Sequence, residues 1–169
     1  MFHLQNESKF SESRSRFYAA EIICAIKFLH QKNIIYRDLK LDNILLDTRG
    51  HIRLVDFGMC KFLTHKEELS EPGFCGTPEY MAPEMILGLS YNHSVDWWSF
   101  GVSLYEMVVG KMPFGGEDEN ELLLNVCSEE IEYPSFLSEE ITHLLKSVSV
   151  YFSHWRTSSE QSIPERQNN

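Results

Sequence analysis

Four side chains in the first third of the sequence have types and spacing that suit one kind of chemistry. Asp38, Lys40 and Asn43 lie in one short run, and Asp56 follows after a predicted turn. Carboxylate and amide oxygens are suitable ligands for Mg²⁺, and a lysine places positive charge beside a phosphate. A further carboxylate can position an attacking hydroxyl. These residue types therefore point to phosphoryl transfer.

A helix is predicted directly before this run of residues. Ser11 is its predicted N-cap, because a serine oxygen there can accept a hydrogen bond from a free backbone amide of the first turn. The apolar residues that follow recur at helical spacing and predict one buried face. That face comprises Phe17, Ala20, Ile23, Cys24, Ala25, Phe28 and Leu29.

A hairpin is predicted directly after the run. The short apolar stretches 44–46 and 52–54 flank a turn sequence, Asp47-Thr48-Arg49-Gly50. Asn43 stands just before the first strand and Asp56 stands after the second. We therefore expect these two side chains to converge on one point with the rest of the run.

The ordered motifs resemble the catalytic half of a protein kinase. They are Tyr36-Arg37-Asp38-Leu39-Lys40-Leu41-Asp42-Asn43, Asp56-Phe57-Gly58, Gly76-Thr77-Pro78-Glu79-Tyr80 and Ala82-Pro83-Glu84. An ordinary turn is the better explanation of a single tripeptide of this kind, but it does not explain the ordered set. In detail the motifs look like the AGC serine/threonine kinases, closest to protein kinase C. The resemblance covers roughly Met1 to Lys146.

The resemblance implies a role for each residue of the catalytic loop, residues 36–43. Asp38 would orient the substrate hydroxyl and accept its proton, and Lys40 would steady the transferring phosphate. Asn43 and Asp56 would hold Mg²⁺. Together with Lys40 they would bind ATP, so ATP and Mg²⁺ are the implied cofactors.

Three further positions are implied to contact the substrate. Asp42 and Glu106 fall where AGC kinases that prefer basic substrates place carboxylates, so they would attract Arg or Lys beside a target Ser or Thr. Surface solvation is the alternative interpretation of both residues. Thr77 completes the implied substrate-binding set.

Other residues have implied structural roles. Asp96 would accept hydrogen bonds from the backbone of the catalytic loop, and a helix N-cap is its alternative role. Arg156 falls at the sequence position of an arginine that pairs with Glu84. The alternative interpretation is an exposed arginine without this pair.

Arg37 would pair with a phosphothreonine in the activation segment, residues 58–82, but this chain has Gly73 at the usual position of that threonine. An acidic residue nearby could substitute, or that stretch could be a solvated loop. The candidates are Glu67, Glu68 and Glu71.

The other half of the kinase signature is missing ahead of Tyr36. The sequence there has no Gly-rich loop and no Val-Ala-Ile-Lys lysine, which cover and pin the nucleotide phosphates in such kinases. The expected fold is α+β and mainly α-helical, the C-terminal lobe of a protein kinase-like fold without the small β-rich lobe. Residues 1–152 would form this partial domain. We expect residues 153–169, a divergent polar tail, to be disordered. An altered terminal exon, a decayed gene copy and a selected novelty are all open explanations of this tail.

Charge and composition restrict the partners. With 15 basic and 25 acidic residues the net charge is −10, which disfavours nucleic acid and anionic membranes and favours proteins with basic Ser/Thr sites. The apolar run 97–109 is too short to span a bilayer and predicts the central buried helix. Four cysteines without metal-ligand spacing and the absence of a signal peptide predict a cytoplasmic location.

Two function classes are compatible with the sequence. The first is a serine/threonine kinase lobe that works only in a longer product or beside a separate small lobe or kinase partner. The isolated chain is then expected to be inactive. The second is a catalytically inactive module that binds substrates or kinases as a decoy or scaffold.

Overall fold

Within residues 2–64 and 69–148, which the computed structural model describes, the chain is mainly α-helical. The helices are α1 (Phe2–Glu7), α2 (Glu12–Gln31), α3 (Pro83–Ile86), α4 (Ser94–Val109) and α5 (Glu119–Ser128), and residues 139–148 are also helical. The strands are β1 (Ile34–Ile35), β2 (Ile44–Leu46), β3 (Ile52–Leu54) and β4 (Lys61–Phe62). Short 3₁₀ turns cover Leu41–Asn43 and Pro78–Tyr80. The predicted fold class is confirmed, and the described residues contain no β-rich lobe.

Helix α2 begins at the predicted cap, but it buries a different face from the predicted one. Ser11 Oγ accepts a hydrogen bond from the Arg14 amide over 3.3 Å. Phe17, Cys24 and Phe28 are exposed, so the predicted buried face is wrong. The side chains that are buried are Ser15, Tyr18, Ala19, Ile22, Ile26 and Leu29.

The error has a physical cause. Two stripes of apolar residues run along α2 at helical spacing, and only packing against α4 decides which of them faces the core. Ile22 and Ile26 are fully buried there. On the other stripe, Phe17 is left half exposed and packs on the rings of Tyr18 and His51 at centroid distances of 5.7 and 5.8 Å.

The predicted hairpin is confirmed. Strands β2 and β3 pair antiparallel, with Ile44 opposite Leu54. Asp47 closes the turn, since its Oδ1 accepts hydrogen bonds from the backbone amides of Arg49 over 2.9 Å and His51 over 3.1 Å. These bonds fix where β3 begins, and therefore where the chain leaves the hairpin.

A second small sheet pairs the residues just before the catalytic loop with a later stretch of the chain. Strands β1 and β4 pair antiparallel, with Ile35 opposite Lys61. Ile35 is fully buried. The stretch that contains Asp56 therefore begins at the hairpin and ends beside the residues that precede Tyr36.

Helix α4 is the centre of the lobe, as predicted from the run 97–109. Most of its side chains are buried, because α2 covers one side of it and the chain around α3 and α5 covers another. It ends at Gly110 in the left-handed conformation, φ +85°, where an added Cβ would lie 2.1 Å from the Ser8 carbonyl oxygen. Within the described part of the chain, no helix is both long and apolar enough to cross a bilayer.

Candidate active site

The carboxylate of Asp38 lies at the centre of a hydrogen-bonded cluster. Only 9% of Asp38 is exposed. Asn43 Nδ2 donates to Asp38 Oδ2 over 2.8 Å, and the hydroxyl of Thr77 donates to Oδ1 over 3.1 Å. Lys40 Nζ lies 3.2 Å from Oδ2 and donates to Thr77 Oγ1 over 2.6 Å. Both carboxylate oxygens are thus held in place, beside a positive charge.

A buried carboxylate on α4 fixes the start of the catalytic loop. Asp96 is fully buried and accepts hydrogen bonds from the backbone amides of Tyr36 and Arg37, each over 2.8 Å. His30 Nε2 lies 2.7 Å from its Oδ2. The N-cap of α4 is His93, so the N-cap alternative for Asp96 is wrong. Asp96 satisfies two amides that the loop buries.

The hairpin brings Asp56 next to Asn43. The amide of Val55 donates to the Asn43 carbonyl oxygen over 3.0 Å, so the next residue, Asp56, emerges beside it. Asp56 has φ +57°, and its Oδ1 accepts a hydrogen bond from the Gly58 amide over 3.2 Å. Asn43 uses its amide nitrogen on Asp38, which leaves its side-chain oxygen available.

This donor set suits one Mg²⁺ ion shared with phosphate oxygens. One amide oxygen and one carboxylate are hard ligands, and Mg²⁺ usually takes only one or two protein carboxylates and completes its shell with water and phosphate. Among the described residues, no cluster of three or more His, Cys, Asp and Glu side chains could hold a metal on its own. The residues present therefore fit a metal that arrives with a nucleotide.

Tyr36, the first residue of the catalytic loop, is fully buried. Its hydroxyl donates to the Val55 carbonyl oxygen, and its ring meets the Phe57 ring edge-on at 5.4 Å. Burial raises the pKa of Tyr36 above its ordinary value, with a smaller contribution from Asp38. The phenol therefore stays protonated and ties the loop to the end of β3.

Glu106 is buried, whereas Asp42 is exposed. Only 4% of Glu106 is exposed, and its Oε2 accepts a hydrogen bond from the hydroxyl of Tyr80. Burial raises the pKa of Glu106, and the nearby charge of Asp42 adds to this rise. Surface solvation, the alternative interpretation, is wrong for Glu106. A buried carboxylate close to an exposed one can attract a cation.

The described partners of the Arg37 side chain are a tyrosine hydroxyl and a backbone carbonyl group. Its Nη1 donates to the hydroxyl of Tyr91 over 2.9 Å and its Nε donates to the Met59 carbonyl oxygen over 2.6 Å. In the part of the chain that the structure describes, no carboxylate lies within ion-pair distance of Arg37, and Glu71 is exposed. Glu67 and Glu68 lie outside the described residues.

Glu84 is buried and accepts a hydrogen bond from the Ser94 hydroxyl over 3.1 Å. Burial raises the pKa of its carboxyl group. Arg156 lies outside the described residues, so the Glu84–Arg156 pair stays a prediction.

Sequence reasoning missed three residues that support the site. His30 contacts Asp96, Tyr80 contacts Glu106, and Tyr91 contacts Arg37. A partial signal existed for Tyr80, because a glutamate inside an apolar helix must find a donor. His30 and Tyr91 lie far from their partners in sequence and carried no local signal.

A helical lobe that holds an Asp-Lys-Asn loop beside an Asp-Phe-Gly turn defines the catalytic lobe of a protein kinase. Residues 1–166 match the protein kinase domain family, and the chain belongs to that family. Kinases of this family use ATP and Mg²⁺.

Within the family the chain is protein kinase C-like, and so of the AGC group. It is 57% identical over 148 residues to a protein kinase C delta type homolog of Drosophila melanogaster and 51% identical over 148 residues to human protein kinase C delta type. It is 52% identical over 147 residues to mouse protein kinase C eta type. These matches cover 88%, 88% and 87% of the chain but only 22%, 22% and 21% of the relatives, so the chain spans about a fifth of their length.

Proposed function

We propose that the chain acts as the catalytic lobe of a serine/threonine protein kinase, which transfers the γ-phosphate of ATP to protein hydroxyl groups. The observation that carries the proposal is the fixed carboxylate of Asp38, held by Thr77 and Asn43 with the amine of Lys40 alongside. Phosphoryl transfer depends almost wholly on positioning and charge, and this cluster supplies both.

Each residue of the cluster has a distinct task. Asp38 orients the Ser or Thr hydroxyl and takes its proton. Lys40 places its positive charge where the transferred phosphate gains negative charge. Asn43 and Asp56 would hold Mg²⁺, which neutralises phosphate charge when it is bound. Thr77 keeps the carboxylate and the amine in register.

We propose that the substrates carry basic residues beside the target hydroxyl. Asp42 is exposed, and its charge acts on the buried Glu106. An Arg or Lys placed between them would relieve the like-charge repulsion and pair with both. The net charge of −10 favours the approach of basic peptides.

The four cysteines are free, which agrees with the expected cytoplasmic location.

The described residues supply only part of a nucleotide site, so the lobe is expected to act with a separate small lobe or inside a longer product. Leu45, two residues after Asn43, and Phe57, directly after Asp56, are each 51% exposed. These exposed apolar side chains also favour the second candidate, a module that binds a substrate or a kinase without catalysis.

The test is transfer of labelled phosphate from Mg-ATP to a basic Ser/Thr peptide, with the chain alone and with an added small lobe. Asp38→Asn keeps the shape of the cluster but removes the base. Glu119→Gln, an exposed change on α5, is the control. Transfer that is lost only in Asp38→Asn supports the kinase. Peptide binding without transfer under both conditions supports the noncatalytic module.

A further inference from the structure

Arg37 occupies a backbone conformation that other groups must hold in place. Its φ is +68°, in the left-handed region that side chains with a Cβ rarely adopt. Asp96 binds its amide, and Gly76 passes so near that an added Cβ would lie 2.8 Å from the Arg37 carbonyl oxygen. The backbone of Arg37 is therefore fixed from two sides, by α4 and by the activation segment.

The side chain of Arg37 is fixed by one hydroxyl and one carbonyl group. Tyr91 Oη accepts from Nη1 over 2.9 Å, and the Met59 carbonyl oxygen accepts from Nε over 2.6 Å. Hydrogen bonds from a charged donor are stronger than neutral ones. Since the described carboxylates are all beyond ion-pair distance, the hydroxyl of Tyr91 is the side-chain group that holds the guanidinium.

Tyr91 also holds the activation segment through its backbone. Ser70 and Tyr91 form an antiparallel bridge, in which the Ser70 amide donates to the Tyr91 carbonyl oxygen over 2.7 Å and the reverse bond is 3.3 Å long. Both residues are 2% exposed. One buried residue thus contacts the segment by its main chain and the catalytic loop by its side chain.

Gly73 faces the same hydroxyl group. A Cβ added at Gly73 would lie 3.6 Å from Tyr91 Oη, an ordinary van der Waals contact, and the backbone of Gly73 is outside the left-handed region. The position therefore tolerates a side chain, and a glutamate there is long enough to bring a carboxylate to the place of the hydroxyl.

We propose that Tyr91 is a positioning residue that couples the activation segment to the catalytic loop by holding Arg37 where Gly73 supplies no side chain. The coupling rests on the contacts of Tyr91, and its consequence for phosphoryl transfer rests on the proposed function. A readout that needs no turnover separates the two.

The experiment is hydrogen exchange followed by mass spectrometry on the full chain. Tyr91→Phe removes only the hydroxyl and should speed exchange about tenfold in peptides 36–43 and 69–76, while α4 stays protected. Tyr105→Phe is the matched control, because Tyr105 is also buried and its hydroxyl donates over 2.9 Å to the Glu132 carbonyl oxygen, away from the segment. It should leave both peptides unchanged.

A second variant tests the mechanism. Gly73→Glu added to Tyr91→Phe should slow exchange in peptide 36–43 again, since a carboxylate can pair with Arg37. Gly73→Gln, of similar size but uncharged, should restore less. Unchanged exchange in peptide 36–43 of Tyr91→Phe would overturn the proposal. So would a uniform increase across all peptides that Gly73→Glu does not reverse.

Discussion

Thr77 and Asp38 are joined by a hydrogen bond of 3.1 Å between the threonine hydroxyl and Asp38 Oδ1. The same hydroxyl oxygen accepts from Lys40 over 2.6 Å. Asp38 and Lys40 belong to the catalytic loop, and Thr77 belongs to the activation segment. One hydroxyl group therefore connects two stretches of chain that the sequence places far apart.

Replacement of Thr77 by Val should destabilise the protein by about 1 to 3 kcal/mol, because the largely buried Asp38 loses one donor and Lys40 loses an acceptor. Thr77→Ser keeps the hydroxyl and should cost less than about 1 kcal/mol. Urea unfolding followed by fluorescence measures both. Thr48→Val, at an exposed turn position, is the matched control and should change stability by at most about 0.5 kcal/mol. Equal effects of Val at positions 77 and 48 would contradict this prediction.

Asp96→Asn should destabilise the protein by about 3 kcal/mol or more, because an amide nitrogen would replace one of the oxygens that accept from Tyr36, Arg37 and His30. Asp42→Asn makes the same chemical change at an exposed position, where we expect at most about 0.5 kcal/mol. Denaturant unfolding of both variants measures the two changes in stability. A small effect at position 96 would mean that the loop does not depend on this carboxylate.

The sequence predicted which residues lie together at the site better than it predicted the residues that support them. Asp38, Asn43 and Asp56 were found because a short run and a hairpin place them together, and both are local features. His30 and Tyr91 were not found, because their contacts with Asp96 and Arg37 cross about sixty residues of chain. Such contacts depend on tertiary packing, which one sequence does not reveal.

The same limit explains the error on α2. Helical spacing predicted the helix and its cap, which depend on neighbouring residues. The choice between two apolar stripes depends on the partner helix, so Phe28 was expected in the core and is 59% exposed. Its ring instead lies 5.9 Å from the Lys32 ammonium, as an exposed aromatic side chain can.

The turn of the hairpin should make stability depend on acid pH. Hydrogen bonds to Asp47, first from the His51 amide and then from the Arg49 amide and Arg53, lower its pKa from 3.8 to about 2. A lowered pKa contributes stability that is present above pH 3.8 and lost as the pH falls towards 2. The stability difference between wild type and Asp47→Asn should therefore shrink over this range. Urea unfolding at several pH values tests this, and a constant difference would contradict it.

The exposed apolar side chains beside the site should cause self-association. Leu45 and Phe57 are half exposed, and apolar surface of this kind promotes contact between copies. Leu45→Thr keeps a residue suited to a strand but removes apolar area, so it should shift the chain towards monomer. Light scattering over a concentration series measures the effect. Monomeric wild-type protein at every concentration would contradict the prediction.

The buried charge of Glu106 should lower the stability of the fold and strengthen substrate binding. Glu106→Gln should separate the two effects. Burial raises the pKa of Glu106 above 4.5, so the folded state binds this proton more tightly than the unfolded chain does, and stability is lost as the pH rises past 4.5. A glutamine still accepts from the hydroxyl of Tyr80 but carries no charge. The variant should therefore gain free energy of unfolding relative to wild type as the pH rises above 4.5.

Loss of that charge should also weaken binding of an Arg-containing peptide about tenfold, equal to about 1.4 kcal/mol, with little change for a peptide that has Ala in place of Arg. Denaturant unfolding at several pH values and titration calorimetry with the two peptides measure the two effects. Asp42→Asn, the exposed partner, should weaken Arg-peptide binding with a smaller gain in stability, because its own carboxylate is already in water and only its repulsion of Glu106 is lost. A Gln variant that is less stable at pH 7 and binds both peptides like wild type would show that Glu106 supports the fold and does not read the substrate.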